Sequence, residues 1–547
     1  MRCPWHHPYL QKAVSFKRKL PFAQTRQSRE SSPAPGMRHA QPLKRDYDFL
    51  YTMPARSGAI GTEGGTLMPC TTILVGKDAT YDGSTLMARN DDSGAGKFTV
   101  KKYVLITPEQ QPRHYESVTS HIQLELPDNP MSYTCCPNVE PGTGYKSEAG
   151  INSANVAMSA TETITSNPRV LGADPLVPGG LGEEDFITVI LPYIKSARDG
   201  VLYTGRLLEK YGTYEMSGIG YSDADEIWYL ETIGGHHWMA RRVPDNAYAV
   251  IPNQLGIDYF DFEDAAGEQK NCLCSAGLED FVKNNHLDLS MDPGDAFDPR
   301  AAFGSHADSD HTYNTPRAWW MERYFNPNTF VWDGPDADFR PDSDDIPWSL
   351  VPEKKITVED IKYVLAGHYQ GTPYDPYMHH GDKSMAGAFR TIGINRTAFL
   401  GVLQMKHNGT SVEWLSFAAN EFNALIPFYQ HITATPAYVG DTTMDVNTNS
   451  FYWTSRLIAA MADAVDRETA SIIERYQNRT MNEAHAILDA CDPKIAAAAD
   501  EETRVKLCME ANQKLADMAE AASQEALSQV LYTLSNNMKN AFSRSDA

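Results

Sequence analysis

The sequence predicts an α+β fold in which antiparallel strands are interrupted by inserted helices. Apolar, β-branched runs recur along the chain, from "CTTILVG" at residues 70–76 to "SVEWLSFA" at residues 411–418. Helical patterns lie between these runs, and the C-terminal tail has helical apolar spacing. Because strands and helices do not alternate as strict βαβ units, the pattern favours α+β layers over a parallel α/β sheet.

The first strands form a predicted β-hairpin. "CTTILVG" leads into "KDATYDG", which ends on the turn signal Asp82-Gly83, and "STLMARN" returns as the second strand. Further strands are predicted at "KKYVLIT", "NVAMSAT", "EIWYLETI", "AYAVIPN" and "TAFLGVLQM".

Helices are predicted at residues 184–212, as one continuous stretch, and at residues 357–369, which open on Thr357 as an N-cap. The tail is predicted helical from about Ser455, with a second helix from roughly Thr503 to Met538. We expect these tail helices to cover the core or to form a subunit interface.

Residues 1–69 differ from the rest of the chain. They carry 11 Lys/Arg and 4 Asp/Glu, a charge of +7, and are rich in Arg, Ser, Pro, Gly and Gln with no apolar period. We interpret them as a disordered propeptide or a mis-assigned start, absent from the active protein. Residues 70–450 then form the predicted catalytic domain, and residues 451–547 a helical C-terminal extension packed on the core.

The charge of the chain excludes some partners. The formal net charge is -23, so the residues after 69 carry -23 - 7 = -30. A body this acidic repels phosphate, which argues against nucleic acid and anionic membranes as partners. "KRK" near the N-terminus is followed by no apolar core, so we expect a cytoplasmic protein with no membrane partner.

The eight cysteines do not form a disulfide framework. The pairs Cys135-Cys136 and Cys272-x-Cys274 both lack the spacing of a zinc site, so we expect no metal and no other cofactor.

Cys70 stands at the head of the first strand, and the returning strand brings Arg89 and Asp92 towards it. A cation beside a thiol stabilises the reactive thiolate. No histidine lies nearby in the sequence to act as base. A cut before Cys70 would expose an α-amine with a pKa of roughly 7.7–8.0, able to take the thiol proton. The alternative is that Cys70 is an ordinary buried thiol.

Several segments together resemble the dipeptidase A / secernin family of N-terminal cysteine hydrolases, which are relatives of penicillin V acylase and bile salt hydrolase. The likeness runs in order from Cys70 to near the C-terminus. The segments are "CTTILVGKDATYDGSTLMARNDD", "EAGINSANVAMSATET", "EIWYLETIGGHHWMARRVPDNAYAVIPNQ", "TYNTPRAWWMERYFNP", "HYQGTPYDPY" and "FRTIGINRTAFLGVLQM".

The resemblance implies a four-layer αββα N-terminal-nucleophile (Ntn) hydrolase sandwich and a set of site residues. Cys70 matches the nucleophile, and Arg89 and Asp92 match the Arg-x-x-Asp pair beside it, Asp92 holding the α-amine. Asn253 matches the asparagine that stabilises the oxyanion, and Arg317 an arginine that sets the charge of the site. Glu162 falls near the place of a second oxyanion asparagine in bile salt hydrolases, and could instead meet the ammonium group of a peptide.

The sequence therefore predicts a cysteine dipeptidase acting on dipeptides, in a chain that could form a homo-oligomer. Two alternatives stay open: an amidase or acylase on a non-peptide acyl amide, and a non-catalytic, secernin-like interaction protein. Three routes could expose Cys70: translation from Met68 with trimming, self-cleavage, or another protease.

Overall fold

Two antiparallel sheets carry the strands that position the site. The computed structural model describes residues 70–292 and 294–539. The interpretation of residues 1–69 as a propeptide or mis-assigned start lies outside the described residues. Within them the strands are β1 (Cys70–Val75), β2 (Thr85–Asp92), β3 (Val104–Ile106), β4 (His114–Glu116), β5 (Gln123–Glu125), β6 (Tyr133–Cys135), β7 (Ala149–Ile151), β8 (Ala157–Thr163), β9 (Ser217–Ser222), β10 (Ile227–Thr232), β11 (Trp238–Arg242), β12 (Tyr248–Ile251), β13 (Cys272–Cys274), β14 (Ser349–Leu350), β15 (Thr397–Met405), β16 (Val412–Phe417) and β17 (Ile426–Tyr429).

The larger sheet has seven strands in the order β14-β12-β1-β2-β15-β16-β17, and the smaller has six in the order β13-β11-β10-β9-β8-β7. Strands β1 and β2 contact β8 and β9, so the two sheets pack against each other at their centres. At this contact Gly220 of β9 faces Met87 of β2, and a Cβ added to Gly220 would lie 2.5 Å from the Met87 sulfur. The absence of a side chain at Gly220 therefore lets the sheets approach closely.

Helices pack against both sheets. In the described part of the chain they are α1 (Pro168–Ala173), α2 (Glu183–Ile190), α3 (Ala197–Tyr211), α4 (Phe262–Ala266), α5 (Leu278–Asn284), α6 (Pro299–Phe303), α7 (Asp310–Tyr313), α8 (Thr315–Phe325), α9 (Val358–Leu365), α10 (Ala437–Gly440), α11 (Phe451–Ala464), α12 (Asp466–Ala496) and α13 (Glu501–Asn536). Helices α2 and α3 contact strands of the smaller sheet, whereas α11 and α13 contact β16 and β17 of the larger one. Mixed helices and antiparallel sheets confirm the predicted α+β class.

The prediction of one continuous helix over residues 184–212 is wrong. The structure has two helices, α2 and α3, separated by a short 3-10 turn at Leu191–Tyr193. Pro192 has no N–H to continue the α-helical ladder. Ser196 then caps α3 by accepting a hydrogen bond from the Asp199 N–H.

Other local predictions agree with the structure. The hairpin pairs β1 with β2, and Gly83 in its turn has a φ of +82°. Thr357 caps α9 by accepting from the Asp360 N–H. Residues 451–536 are helical apart from short breaks between α11, α12 and α13, and none of the described helices is both long and apolar enough to cross a membrane.

Candidate active site

The hairpin of β1 and β2 brings Cys70 and Arg89 to the same face of the larger sheet. Cys70 lies opposite Asp91, and Thr72 lies opposite Arg89. Because alternate residues of a strand share a face, Arg89 and Asp91 project on the side of Cys70. Both strands are buried along their whole length, so this charged face lies inside the protein.

Arg89 directly contacts the sulfur of Cys70. Its Nη2 donates to the Cys70 Sγ at 2.8 Å, and both side chains are buried. Burial raises the pKa of the Cys70 thiol well above its ordinary value; Arg89 opposes this shift, while Glu162, Glu183 and Asp91 add to it. The thiol therefore needs a base to lose its proton near neutral pH.

Two carboxylates hold the other edges of the Arg89 guanidinium. Glu148 Oε2 lies 2.9 Å from Nη1, and Glu183 Oε1 lies 3.0 Å from Nη2. Glu148 also pairs with Lys101, whose Nζ reaches Asp91 as well, both at 3.0 Å. The result is a buried chain of alternating charges that ends at the sulfur.

Asn253 and Arg317 lie beside the main chain of Cys70. The Cys70 nitrogen donates to Asn253 Oδ1 at 3.3 Å, and Arg317 Nη2 donates to the same oxygen at 2.8 Å. Arg317 Nη1 donates to the Cys70 carbonyl and to Thr71 Oγ1. Arg317 thus ties the end of β1 to the loop that carries Asn253.

The amide nitrogen of Asn253 already has partners. Because two donors face Oδ1, the Nδ2 group must point the other way. It donates to Glu162 Oε1 at 3.0 Å and to the Thr163 carbonyl at 3.1 Å. Both of its hydrogens are engaged, so Nδ2 would have to leave a partner before it could donate to a substrate oxygen.

Glu162 is fully buried within this arrangement. Its Oε2 accepts from Thr72 Oγ1 at 2.8 Å, while its Oε1 accepts from Asn253. Burial raises the pKa of Glu162 to about 8, although Arg89, Arg317 and Arg390 pull it down. Among the described residues, no Lys, Arg or His lies within ion-pair distance of this carboxylate.

Asp92 lies on the opposite face of β2 from Arg89, as strand alternation requires. Its carboxylate pairs with Arg390 and accepts from Thr397 Oγ1. Burial raises the pKa of Asp92 more than Arg390 and Thr397 lower it. The predicted contact of Asp92 with the α-amine of Cys70 stays a prediction.

The structure therefore gathers Cys70, Arg89, Asn253, Arg317 and Glu162 at one place. It also shows contributors that sequence reasoning missed: Glu148, Glu183, Arg390 and Asn314, the last accepting from Arg317 Nη2 at 2.8 Å. Glu148, Arg390 and Asn314 lie within the quoted segments "EAGINSANVAMSATET", "FRTIGINRTAFLGVLQM" and "TYNTPRAWWMERYFNP", and that resemblance was the only signal available for them. Nothing in the sequence near Glu183 indicates a partner 94 residues away.

The described residues contain no cluster of three or more His, Cys, Asp or Glu side chains placed to hold a metal ion.

Comparison with known proteins identifies the family. The profile of Peptidase family C69 matches residues 69–479, starting one residue before Cys70. The chain is 49% identical over 532 residues to "Dipeptidase" of Bifidobacterium longum, a match covering 88% of this chain and 100% of the relative. It is 48% identical over 483 residues to "Probable dipeptidase A" of Streptococcus pyogenes serotype M3, with the same coverage of both chains. "Dipeptidase A" of Lactobacillus helveticus is 41% identical over 472 residues, covering 84% of this chain and 96% of the relative. The predicted family is thereby confirmed: the chain belongs to peptidase family C69, and it is a peptidase.

Proposed function

We propose that this protein is a cysteine dipeptidase in which Cys70, exposed as the N-terminal residue, is the nucleophile and its own α-amine is the base. The observation that carries the proposal is the contact between Arg89 Nη2 and the Cys70 sulfur at 2.8 Å. A guanidinium at this distance favours the thiolate. The family match that begins at residue 69 and the names of the relatives support the same reading.

The reaction would run in two steps. The α-amine takes the thiol proton, and the thiolate attacks the carbonyl carbon of the dipeptide's first residue. As the tetrahedral intermediate collapses, the C–N bond breaks, the ammonium of Cys70 returns the proton to the leaving amine, and a thioester remains. Water, losing a proton to the α-amine, then attacks the thioester, releasing the acyl part as a free amino acid and restoring the thiol.

Asn253 and Arg317 would hold the amine of Cys70 in place for the proton transfer. Asn253 Oδ1 accepts from the Cys70 nitrogen, which would be the catalytic amine, and Arg317 holds that oxygen in place. For Asn253 Nδ2 to stabilise the oxyanion, it must first part from Glu162 or the Thr163 carbonyl. Asp92 is proposed to help hold the amine from the other face of the sheet.

Glu162 is proposed to receive the ammonium group of the substrate. Burial raises the pKa of Glu162 to about 8 because ionising it without a cation at ion-pair distance is costly, and a substrate ammonium would favour its ionised form. The same contact would draw Glu162 away from Asn253 and release Nδ2 for the oxyanion. This feature favours a dipeptide, which has a free ammonium beside the reacting carbonyl, over a non-peptide acyl amide.

The fold supports the same proposal. The two sheets touch through β1, β2, β8 and β9, with helices against each sheet. We propose that this is the αββα sandwich of Ntn hydrolases, with Cys70 at the head of a central strand.

The decisive experiment combines mass spectrometry of the active protein with a dipeptide assay. The active protein should begin at Cys70, hydrolyse dipeptides in the presence of a chelator, and lose activity when the thiol is alkylated. Cys70→Ala should abolish hydrolysis, while Cys491→Ala, at a partly buried thiol of helix α12, should leave it intact. A fully active protein with an intact Pro69–Cys70 peptide bond would exclude the mechanism.

A further inference from the structure

The side chains of Glu148 and Glu183 form a clamp around Arg89, and the mechanism above does not use them. Each carboxylate comes from a different segment: Glu148 precedes β7, and Glu183 is the first residue of α2. They meet the two terminal nitrogens of one guanidinium, Glu148 at Nη1 and Glu183 at Nη2. The same Nη2 donates to the sulfur of Cys70.

The backbone of Glu148 also contributes to its contact with Arg89. Its φ is +62°, a left-handed conformation that is uncommon outside glycine and is found at sites where the surroundings enforce it. Its main-chain carbonyl accepts from Arg89 Nη1 at 3.3 Å, in addition to the carboxylate contact. Lys101 Nζ fixes the second carboxylate oxygen at 3.0 Å.

Glu183 is fixed from the other side. Its main-chain N–H donates to Glu215 Oε1 at 2.7 Å, and Thr161 Oγ1 donates to the same Oε1 that Arg89 uses, at 3.4 Å. Its other oxygen lies 3.9 Å from Lys146 Nζ. As the first residue of a helix, its carboxylate also lies where the helix dipole favours negative charge.

By their charge alone, Glu148 and Glu183 would hinder catalysis. A negative charge beside Arg89 weakens the stabilisation that this cation gives to a thiolate. By their positions, however, they would help it. A planar guanidinium held only by one sulfur contact is free to rotate away from the sulfur. Carboxylates on both terminal nitrogens fix its plane and keep Nη2 directed at the sulfur.

We propose that Glu148 and Glu183 are positioning residues for catalysis, which act by holding the Arg89 guanidinium against the sulfur of Cys70. This inference rests on the proposed role of Cys70 as nucleophile. Neither carboxylate contacts the reacting atoms; each acts through Arg89.

Two substitutions at Glu183 separate position from charge. Glu183→Gln keeps an oxygen where Arg89 needs one and removes the charge; the new amide hydrogens would face Lys146 across the longer 3.9 Å gap. Glu183→Asp keeps the charge and withdraws it by about one carbon–carbon bond, ~1.5 Å. Glutamine is not informative at Glu148, because both of its carboxylate oxygens lie within ion-pair distance of a cation, so Glu148→Asp serves as the second shortened variant there.

Two readouts are taken on the mature protein. The first is kcat and KM on a dipeptide. The second is the pH dependence of carbamidomethylation of the Cys70 peptide by iodoacetamide, followed by mass spectrometry, which gives an apparent midpoint for the thiol without requiring turnover. The groups that face the thiol and share this titration are Arg89 and Asp91 on β2, Glu162 on β8 and Glu183 on α2.

The clamp predicts that the glutamine variant and the two aspartate variants shift the alkylation midpoint in opposite directions. Glu183→Gln should keep kcat within about threefold and move the alkylation midpoint to lower pH, since a neighbouring negative charge is gone. Glu183→Asp and Glu148→Asp should each lower kcat by about 10- to 100-fold with little change in KM, because a misplacement of about 1 Å costs that much. Their midpoints should move to higher pH as the thiolate loses its donor.

The control is Glu413→Gln on β16, where another buried carboxylate accepts from Thr134 Oγ1 at 3.0 Å. It should leave the midpoint and kcat at the wild-type values. An aspartate variant at least as active as Glu183→Gln, or a midpoint that the aspartate variants leave unchanged, overturns the clamp. If one position does not tolerate aspartate, the other decides. Full activity in Cys70→Ala would instead overturn the proposed nucleophile and leave the alkylation result for the clamp standing.

Discussion

Replacing Arg317 with lysine removes a set of N–H donors whose acceptors lie in three segments of the site: the start of β1, the loop of Asn253, and the turn of Tyr313 and Asn314. Nε donates to the Tyr313 carbonyl, Nη1 to the Cys70 carbonyl and Thr71 Oγ1, and Nη2 to the side-chain oxygens of Asn253 and Asn314. A lysine ammonium has three N–H donors at one point, so at least two of these five acceptors would lose their partner. Arg317 is fully buried, so water cannot replace the lost bonds.

The loss of folding stability follows from the number of buried acceptors that are left without a hydrogen bond. Leaving a buried acceptor unsatisfied costs about 1–3 kcal/mol, so two of them cost roughly 2–6 kcal/mol. Burial and the neighbouring Arg390 already lower the pKa of Arg317 to about 10. A lysine starts from a lower ordinary pKa and would meet the same burial and the same Arg390, so part of its charge would be lost too.

The matched control is Arg323→Lys on the same helix. Arg323 pairs with Asp333 at 2.8 Å, but the side chains are 27% and 64% exposed. Such surface pairs contribute roughly 0–1 kcal/mol. We expect Arg317→Lys to lower the urea unfolding midpoint clearly and to reduce kcat about 100-fold, since Cys70 and Asn253 lose their common support. Equal behaviour of the two variants in both measurements would refute the assignment of Arg317 as the residue that joins these segments.

Three further substitutions give distinct outcomes. Glu162→Gln should raise KM for dipeptides at least 10-fold and leave KM for an N-acetylated amide unchanged, as a steady-state comparison of the two substrates would show; equal effects on both would contradict an ammonium site. Asp92→Asn should cost about 3–5 kcal/mol, because it leaves the buried Arg390 without its carboxylate, and thermal or urea unfolding should detect this. Glu413, with a pKa raised by burial to about 8, stays protonated in the folded state while the unfolded chain ionises, so it lowers stability as pH rises from about 4.5 to 8. Glu413→Gln should therefore gain stability over wild type at pH 8 but not at pH 4, and a gain that is independent of pH would contradict the shifted pKa.

The sequence could predict the part of the site that local structure determines. A turn at Asp82-Gly83 between two strand-like runs sets the register that places Thr72 opposite Arg89, two residues from Cys70. Asn253, Arg317 and Glu162 came instead from a resemblance to a family, because they reach the site from distant segments. Their contacts to β1 span between 90 and 247 residues of chain.

The clamp could not be predicted, for a physical reason. Glu148 lies in a family-like segment, but nothing in the sequence pairs Glu148 or Glu183 with Arg89, because that pairing depends on how the two sheets and α2 pack. The break between α2 and α3 was a different kind of error. Pro192 and Ser196 were both visible in the sequence, and the apolar period on either side of them outweighed these local signals.

The electrostatics around Cys70 bear on why the nucleophile should be an N-terminal residue. Burial and three neighbouring carboxylates raise the pKa of the thiol, and Arg89 alone does not offset them. A thiol in this setting does not ionise unaided near neutral pH, so the proposed mechanism needs a base beside it. The α-amine of Cys70 needs no extra space, because it occupies the position of the peptide nitrogen that already donates to Asn253. When it accepts the thiol proton it becomes a cation that still donates to Asn253, whose amide nitrogen in turn donates to Glu162. On this view the acidic surroundings that disfavour a lone thiolate favour the pair of thiolate and ammonium, and that pair is what the proposed first step requires.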